Sequence, residues 1–169
     1  PAGLIGKIDL DLSPANPKRV YALVEAPGDE RALYRTDDSG ATWTRQSNDL
    51  NLLRRPFYYT NVHAHPKDQD TVFVNNEGYF KSTDGGKTFR TGTTPHGDNH
   101  SMWINPDNPD IMVQSNDGGA NVTTNGGLTW TTQLNQPTAE IYQIETDDQF
   151  PYRLYGAQQD TGWPIILPS

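Results

Sequence analysis

Apolar and polar residues alternate along this chain in short runs, and prolines and glycines interrupt them before a helical period can build. Residues 8–12 read Ile-Asp-Leu-Asp-Leu, 60–64 Thr-Asn-Val-His-Ala and 100–104 His-Ser-Met-Trp-Ile. Alternate residues of a strand share a face, so each run predicts a strand with one apolar side. Each run ends at a proline corner, at 14–17, 66–69 and 106–109, and Val20, Val72 and Met112 stand three residues past it. A fourth unit starts at 142–146, turns at 148–151 and resumes at Leu154. The corners are 52, 40 and 42 residues apart. No stretch between these breaks keeps a 3.6-residue apolar period, so helices are not expected.

A second motif runs in step with the first. Residues 36–43 have the form Ser/Thr-x-Asp-x-Gly-x-Thr-Trp/Phe, residues 82–89 repeat it, and 123–130 repeat it with Asn125 for Asp. The closing aromatics Trp43, Phe89 and Trp130 are 46 and 41 residues apart. Residues 33–35, 79–81 and 121–122 lead into the three boxes, so each unit reads as four short strands. A four-stranded antiparallel unit recurring every 40 to 50 residues predicts an all-β propeller segment. The expected blades span 4–56, 57–95, 96–136 and, in part, 137–163. That is about three and a half, too few to close a ring alone.

The box is a hairpin turn with its own fasteners. The carboxylates of Asp38 and Asp84 are suited to accept backbone N–H groups, as Asx turns do. Gly40, Gly86 and Gly127 supply positive φ. Trp43, Phe89 and Trp130 are expected to fill the wedge between neighbouring blades. Asn125 accepts through its amide oxygen without charge, which predicts a slightly weaker third turn. An acid repeated identically in every unit belongs to the scaffold, because an active site is singular.

The boxes, corners and spacing resemble the BNR (Asp-box) repeat proteins, a set that includes sialidases, xyloglucanase-type glycoside hydrolases and the sortilin ectodomain. Three segments resemble a narrower bacterial group labelled glycosyl hydrolase with BNR repeats. They are His96-Gly97-Asp98-Asn99-His100 leading to Trp103, Asn116-Asp117-Gly118-Gly119, and Gly156-Ala157-Gln158-Gln159-Asp160. The resemblance covers about residues 4–162. It implies a propeller fold, an extracytoplasmic place in a bacterial cell, and a background of glycan chemistry.

Composition narrows the function classes. The net charge of -8 leaves no basic stripe for phosphates, so nucleic-acid binding is not expected. No apolar run in the chain is long enough to span a bilayer. No cysteine is present, which removes disulfides and thiol catalysis. The chain opens on Pro1 rather than Met, so a cut or trimmed start is expected.

Ligand sites of propellers gather where the innermost strands and their loops converge. Aligned on the corners, Tyr58, Asp98 and Glu140 share one depth, and Thr60, His100 and Tyr142 lie two residues deeper. Glycoside hydrolysis needs two flanking carboxyl groups, and Asp98, Glu140 and Asp160 are the catalytic candidates, with Asp117 beside them. His96, His100, Asn116, Asp117, Gln158 and Gln159 are the ligand-binding candidates. Turn bracing is the competing role for Asp117 and Asp160. His63 and His65 share a strand face, as do His96, Asp98 and His100, but their registers are opposite in phase, so no metal site is expected. No cofactor is expected either; calcium at acidic loops such as Asp107 and Asp110 stays open. The residues favour a binding or assembly scaffold for a protein or glycan partner, completed by further blades from a longer chain or another subunit. A polysaccharide hydrolase is the alternative.

Overall fold

The computed structural model describes residues 3–134, 141–158 and 165–168. It is all-β but for two single 3-10 turns, at Gly28–Glu30 and Leu50–Leu53. The chain divides into two units, Pro1–Thr132 and Gln133–Ser169.

The first unit holds three antiparallel meanders. β1 (Ile8–Leu12), β2 (Val20–Val24), β3 (Ala32–Thr36) and β4 (Thr44–Ser47) form one four-stranded sheet in chain order. β5 (Asn61–Ala64), β6 (Val72–Asn75), β7 (Tyr79–Ser82) and β8 (Arg90–Gly92) form the second. β9 (Asn99–Ile104), β10 (Met112–Asn116) and β11 (Gly119–Thr123) form the third. Residues 130–132 run beside β11 without becoming a strand. Thr131 N–H bonds Val122 O at 2.9 Å, but the Val122 N–H turns to the Thr131 hydroxyl at 3.0 Å, so the regular ladder is not built. In the second unit β12 (Ile141–Thr146), β13 (Arg153–Gln158) and β14 (Ile165–Pro168) form one sheet. β14 extends it past residue 163, where the sequence reading closes the fourth blade; the apolar run 165–167 supplies the extra strand.

Two apolar seams hold the first unit together. Tyr21, Leu23 and Leu33 of the first sheet meet Val62, Val72, Val74 and Phe80 of the second, with Leu52 and Leu53 of the connecting turn sealed in. Phe73 and Tyr79 of the second sheet meet Met102 and Met112 of the third. Burying each such side chain contributes about 1.5–3 kcal/mol. The equivalences are strict: Val62 and Met102 stand at one repeat position, as do Val72 and Met112, and Tyr21 and Phe73. The box aromatics follow the seams. Phe89 packs on the first, and Trp130 packs on the second, edge-on to Tyr79 at 5.8 Å. Trp43 does not pack between sheets: it is 43% exposed, because no sheet precedes β1 among the described residues.

The three box turns share one hydrogen-bond plan. Thr36 donates its hydroxyl to Asp38 at 2.7 Å and accepts Gly40 N–H, while Asp38 accepts the N–H and hydroxyl of Thr42. Ser82, Asp84, Gly86 and Thr88 repeat those four bonds. At Asn125 one bond reverses, its Nδ2 donating to the Thr129 hydroxyl at 2.8 Å. Gly40, Gly86 and Gly127 have φ of 94°, 87° and 85°, where a Cβ is strained. The Thr42 and Thr36 hydroxyls hold the Asp38 carboxyl down at about 2. Slight burial works against Asp84, yet the Thr88 hydroxyl and N–H bring it to about 2 as well.

Candidate functional site

Four loops converge at one end of the first unit: 54–60, 76–78, 96–100 and 116–118. Backbone bonds tie them, Asn99 N–H to Asn76 O at 2.7 Å and Asp98 N–H to Glu77 O at 3.2 Å. Two of the loops share an Asn-x-Gly turn. Asn76 Oδ1 accepts Gly78 N–H and Asn116 Oδ1 accepts Gly118 N–H, both at 2.9 Å. Turn bracing at 116–118 therefore falls to Asn116, which frees the Asp117 carboxylate to bond His100 Nε2 at 2.6 Å.

His100 sits in an aromatic cluster. Its ring lies 4.8 Å from Tyr59 and 5.6 Å from Tyr58, and the two tyrosines meet edge-to-face at 5.0 Å. The Tyr59 hydroxyl donates to Asp98, whose backbone is held in the left-handed region at φ 55°. Burial and the Asp98 carboxylate push the Tyr59 hydroxyl well above its ordinary value, so it stays a donor. The Arg55 guanidinium lies 5.8 Å from the Tyr58 ring centre and 5.5 Å from that of Tyr59, within cation–π range. Tyr59 is buried, whereas Tyr58 is 58% exposed and Phe57 75%. A groove of about 500 Å³ adjoins, lined by Arg31, Arg54, Arg55, Phe57 and Glu77 among others. Arg54 bonds Asn51 Oδ1 and pairs with Glu77 at 3.5 Å. The Arg31 Nε is buried without a hydrogen-bond partner.

The structure thus brings together Asp98, His100, Asn116 and Asp117. His96 lies on the same loop, its carbonyl accepting the Thr94 hydroxyl and its Nδ1 against Gly97 O. Glu140, Gln159 and Asp160 lie outside the described residues, as does the side chain of Gln158 at the end of β13. His63 and His65 are not part of this cluster. His65 Nδ1 accepts Lys67 and Asp68 N–H in the proline corner. His63 lies on the second seam with its Nε2 enclosed and unpartnered, and burial lowers it to about 4. Among the described residues no group of three or more His, Asp or Glu is placed to hold a metal ion. No helix among them is long and apolar enough to cross a membrane.

Sequence reasoning missed Tyr59, Arg54, Arg55 and Arg31, which come from connecting segments without a motif. The Asn-x-Gly turn, recurring at a 40-residue interval, was the available signal for Asn116.

No family model matches the chain, and no curated protein matches it. Solved structures do. A GH74 enzyme of Niastella koreensis superposes with a TM-score of 0.62 at 18% identity, over 94% of this chain and 29% of that one. YCF48 from Cyanidioschyzon merolae gives 0.54 at 18%, over 96% of this chain and 56% of that one. A structure of YCF48 bound to D1 peptide gives 0.51 at 14% identity, over 98% of this chain and 54% of that one. These are β-propeller proteins, and the fold of this chain is theirs. The chain spans between about a quarter and somewhat over half of the solved chains it matches.

Proposed function

We propose that this chain is a segment of a larger Asp-box propeller, of the BNR-repeat kind and extracytoplasmic, that serves as a binding scaffold for a protein or glycan partner. The observation that carries this reading is the state of the acids at the converging loops. Asp98 takes the Tyr59 hydroxyl and Asp117 takes the His100 ring, so both work as positioning groups. Around them stand exposed aromatic faces and arginines, the surface on which a peptide or sugar ring stacks and hydrogen-bonds. The structure of YCF48 bound to D1 peptide supports the reading by analogy. Calorimetric titration of the chain with a panel of acidic peptides and glucan oligosaccharides tests it. Saturable binding that Tyr58→Ala and His100→Ala each weaken by about tenfold supports the scaffold. Binding indifferent to both places the ligand elsewhere.

The hydrolase reading draws on the GH74 neighbours and on Asp98 as a carboxyl group at the mouth. It needs a second acid, which Glu140 or Asp160 would supply. Release of reducing ends from a polysaccharide, lost in both Asp98→Asn and Glu140→Gln, would establish it over the scaffold.

A further inference from the structure

Among the described residues of the first unit, none covers one face of the first sheet. Ile8, Leu10 and Leu12 are 48%, 60% and 50% exposed, and Ile8 and Leu10 line a hollow of about 470 Å³ with Ala22, Val24, Tyr34 and Trp43. The repeat says what this face is. Leu10, Ala22, Tyr34 and Trp43 occupy the positions of Val62, Val74, Phe80 and Phe89, the face by which the second sheet docks on the first. Met102, Met112 and Trp130 dock the third sheet on the second in the same way.

The first seam also has a polar half. Ser13 N–H to Arg19 O and Glu25 N–H to Lys7 O fix the β1–β2 ladder, so Asp9 and Asp11 spend their N–H groups on β2. Leu10 and Leu12 therefore point theirs along the free edge. In the second sheet the matching N–H groups belong to Val62 and Ala64, and the first sheet caps them. Asp9 Oδ2 accepts Val62 N–H at 2.7 Å and Asp11 Oδ2 accepts Ala64 N–H at 2.6 Å. A sheet that docks on the first in the manner of this seam brings acceptors at the positions of Asp9 and Asp11. The chain carries such a pair. Gln143 and Glu145 occupy those repeat positions on β12 and are exposed, and Glu145 pairs with Tyr155 as Asp11 pairs with Tyr21.

We propose that the free face of the first sheet docks a second copy of this chain, whose Gln143 and Glu145 cap Leu10 and Leu12 N–H as Asp9 and Asp11 cap Val62 and Ala64. The proposal rests on the reading of the chain as part of a larger propeller, and names what completes it. A head-to-tail contact either closes a ring or grows a filament. The four sheets among the described residues give eight in two copies, within the range of about four to eight blades that closed propellers use.

Sedimentation equilibrium and disulfide trapping test this in a chain that has no cysteine of its own. The expected particle is twice 18.8 kDa. A Leu12→Cys chain mixed with a Glu145→Cys chain should form a mixed disulfide that neither forms alone. Leu10→Glu, at a site exposed in the single chain, should weaken association at least about tenfold with its circular dichroism unchanged. A monomer at every concentration with no mixed disulfide overturns the proposal, as does an open ladder of larger species. In a monomer, amide exchange then separates the two ideas. Fast exchange at Leu10 and Leu12 leaves the larger propeller standing, with its missing blades elsewhere. Slow exchange there means the face is covered within one chain, and the larger-propeller reading falls too.

Discussion

The two seams of the first unit are built on the same repeat positions and are fastened differently. Between the first and second sheets, two carboxylates cap the free edge of β5, and Arg19 reaches across to Asp70 at 2.5 Å and Gln69 O at 2.9 Å while holding Asp37 at 2.5 Å. Tyr21 adds its hydroxyl to the same Gln69 carbonyl. Between the second and third sheets, Asn61 stands where Asp9 stood and donates to His100 O, and His63 stands where Asp11 stood with its Nε2 unpartnered. The apolar filling changes as well, from Leu and Val to Met with aromatic rings. Shape is thus carried by the apolar positions, and the polar positions are free to vary. The second seam uses that freedom beside the aromatic cluster, where Asn61 also fixes the backbone of His100.

The comparison breaks most sharply in the apolar filling. Leu33→Ala, at a fully buried site of the first seam, should cost about 3–4 kcal/mol in chemical denaturation. Met112→Ala in the second should cost about 2–3 kcal/mol, its flexible thioether being easier to replace by collapse. Equal losses would mean that the seams are filled to the same tightness.

Acid should separate the seams next. His63 is lowered by burial from 6.5 to about 4, so the unfolded chain binds its proton first as pH falls. Stability carried by neutral His63 is present above 6.5 and is lost between 6.5 and about 4, by up to about 3 kcal/mol. His63→Leu should flatten that part of the stability–pH curve, which thermal melts across the range would read. An unchanged slope would assign the acid sensitivity to other groups.

The carboxylate clasp comes third. Asp11→Ala leaves the Ala64 N–H without its acceptor and should cost about 1–3 kcal/mol. Asn61→Ala on the second seam removes a donor and should cost about 1 kcal/mol. The smallest effect concerns the turns. Asn125→Asp restores the charge found at Asp38 and Asp84 and should add a few tenths to about 1 kcal/mol at neutral pH. Both acids are depressed to about 2, so such a gain is present above the usual carboxylate range and lost as pH falls towards 2. A gain that persists at pH 2 would show that charge is not its source.

Much of this architecture could be read from the chain. β2, β6 and β10 begin at Val20, Val72 and Met112, the residues that the proline corners single out. The box hairpins were legible because each bond in them is local, running from Thr36 to Asp38 or from Asp38 to Thr42. Trp43 was placed between sheets by the same logic that fits Phe89 and Trp130, and it lies exposed because that logic needs a preceding sheet. The site was legible only in part. His100, Asp117 and Asn116 stood out by type and spacing, whereas Tyr59 meets Asp98 across 39 residues and no local pattern announces it. The arginine groove is assembled from segments 50–57 and Arg31, which carry no repeat signature. The burial of His63 was not legible, because alternation gives its face but not its neighbour.

The capping of the second sheet's edge by side chains of the first is the device on which the first seam and the proposed docking turn, and amide hydrogen exchange reads it directly in dilute solution. Val62 and Ala64 should exchange slowly, and Asp9→Ala with Asp11→Ala should speed both while leaving β6 protected. If Val62 and Ala64 exchange as fast in the parent chain as in that double variant, the carboxylates do not seal the seam and the account of how these sheets join is wrong.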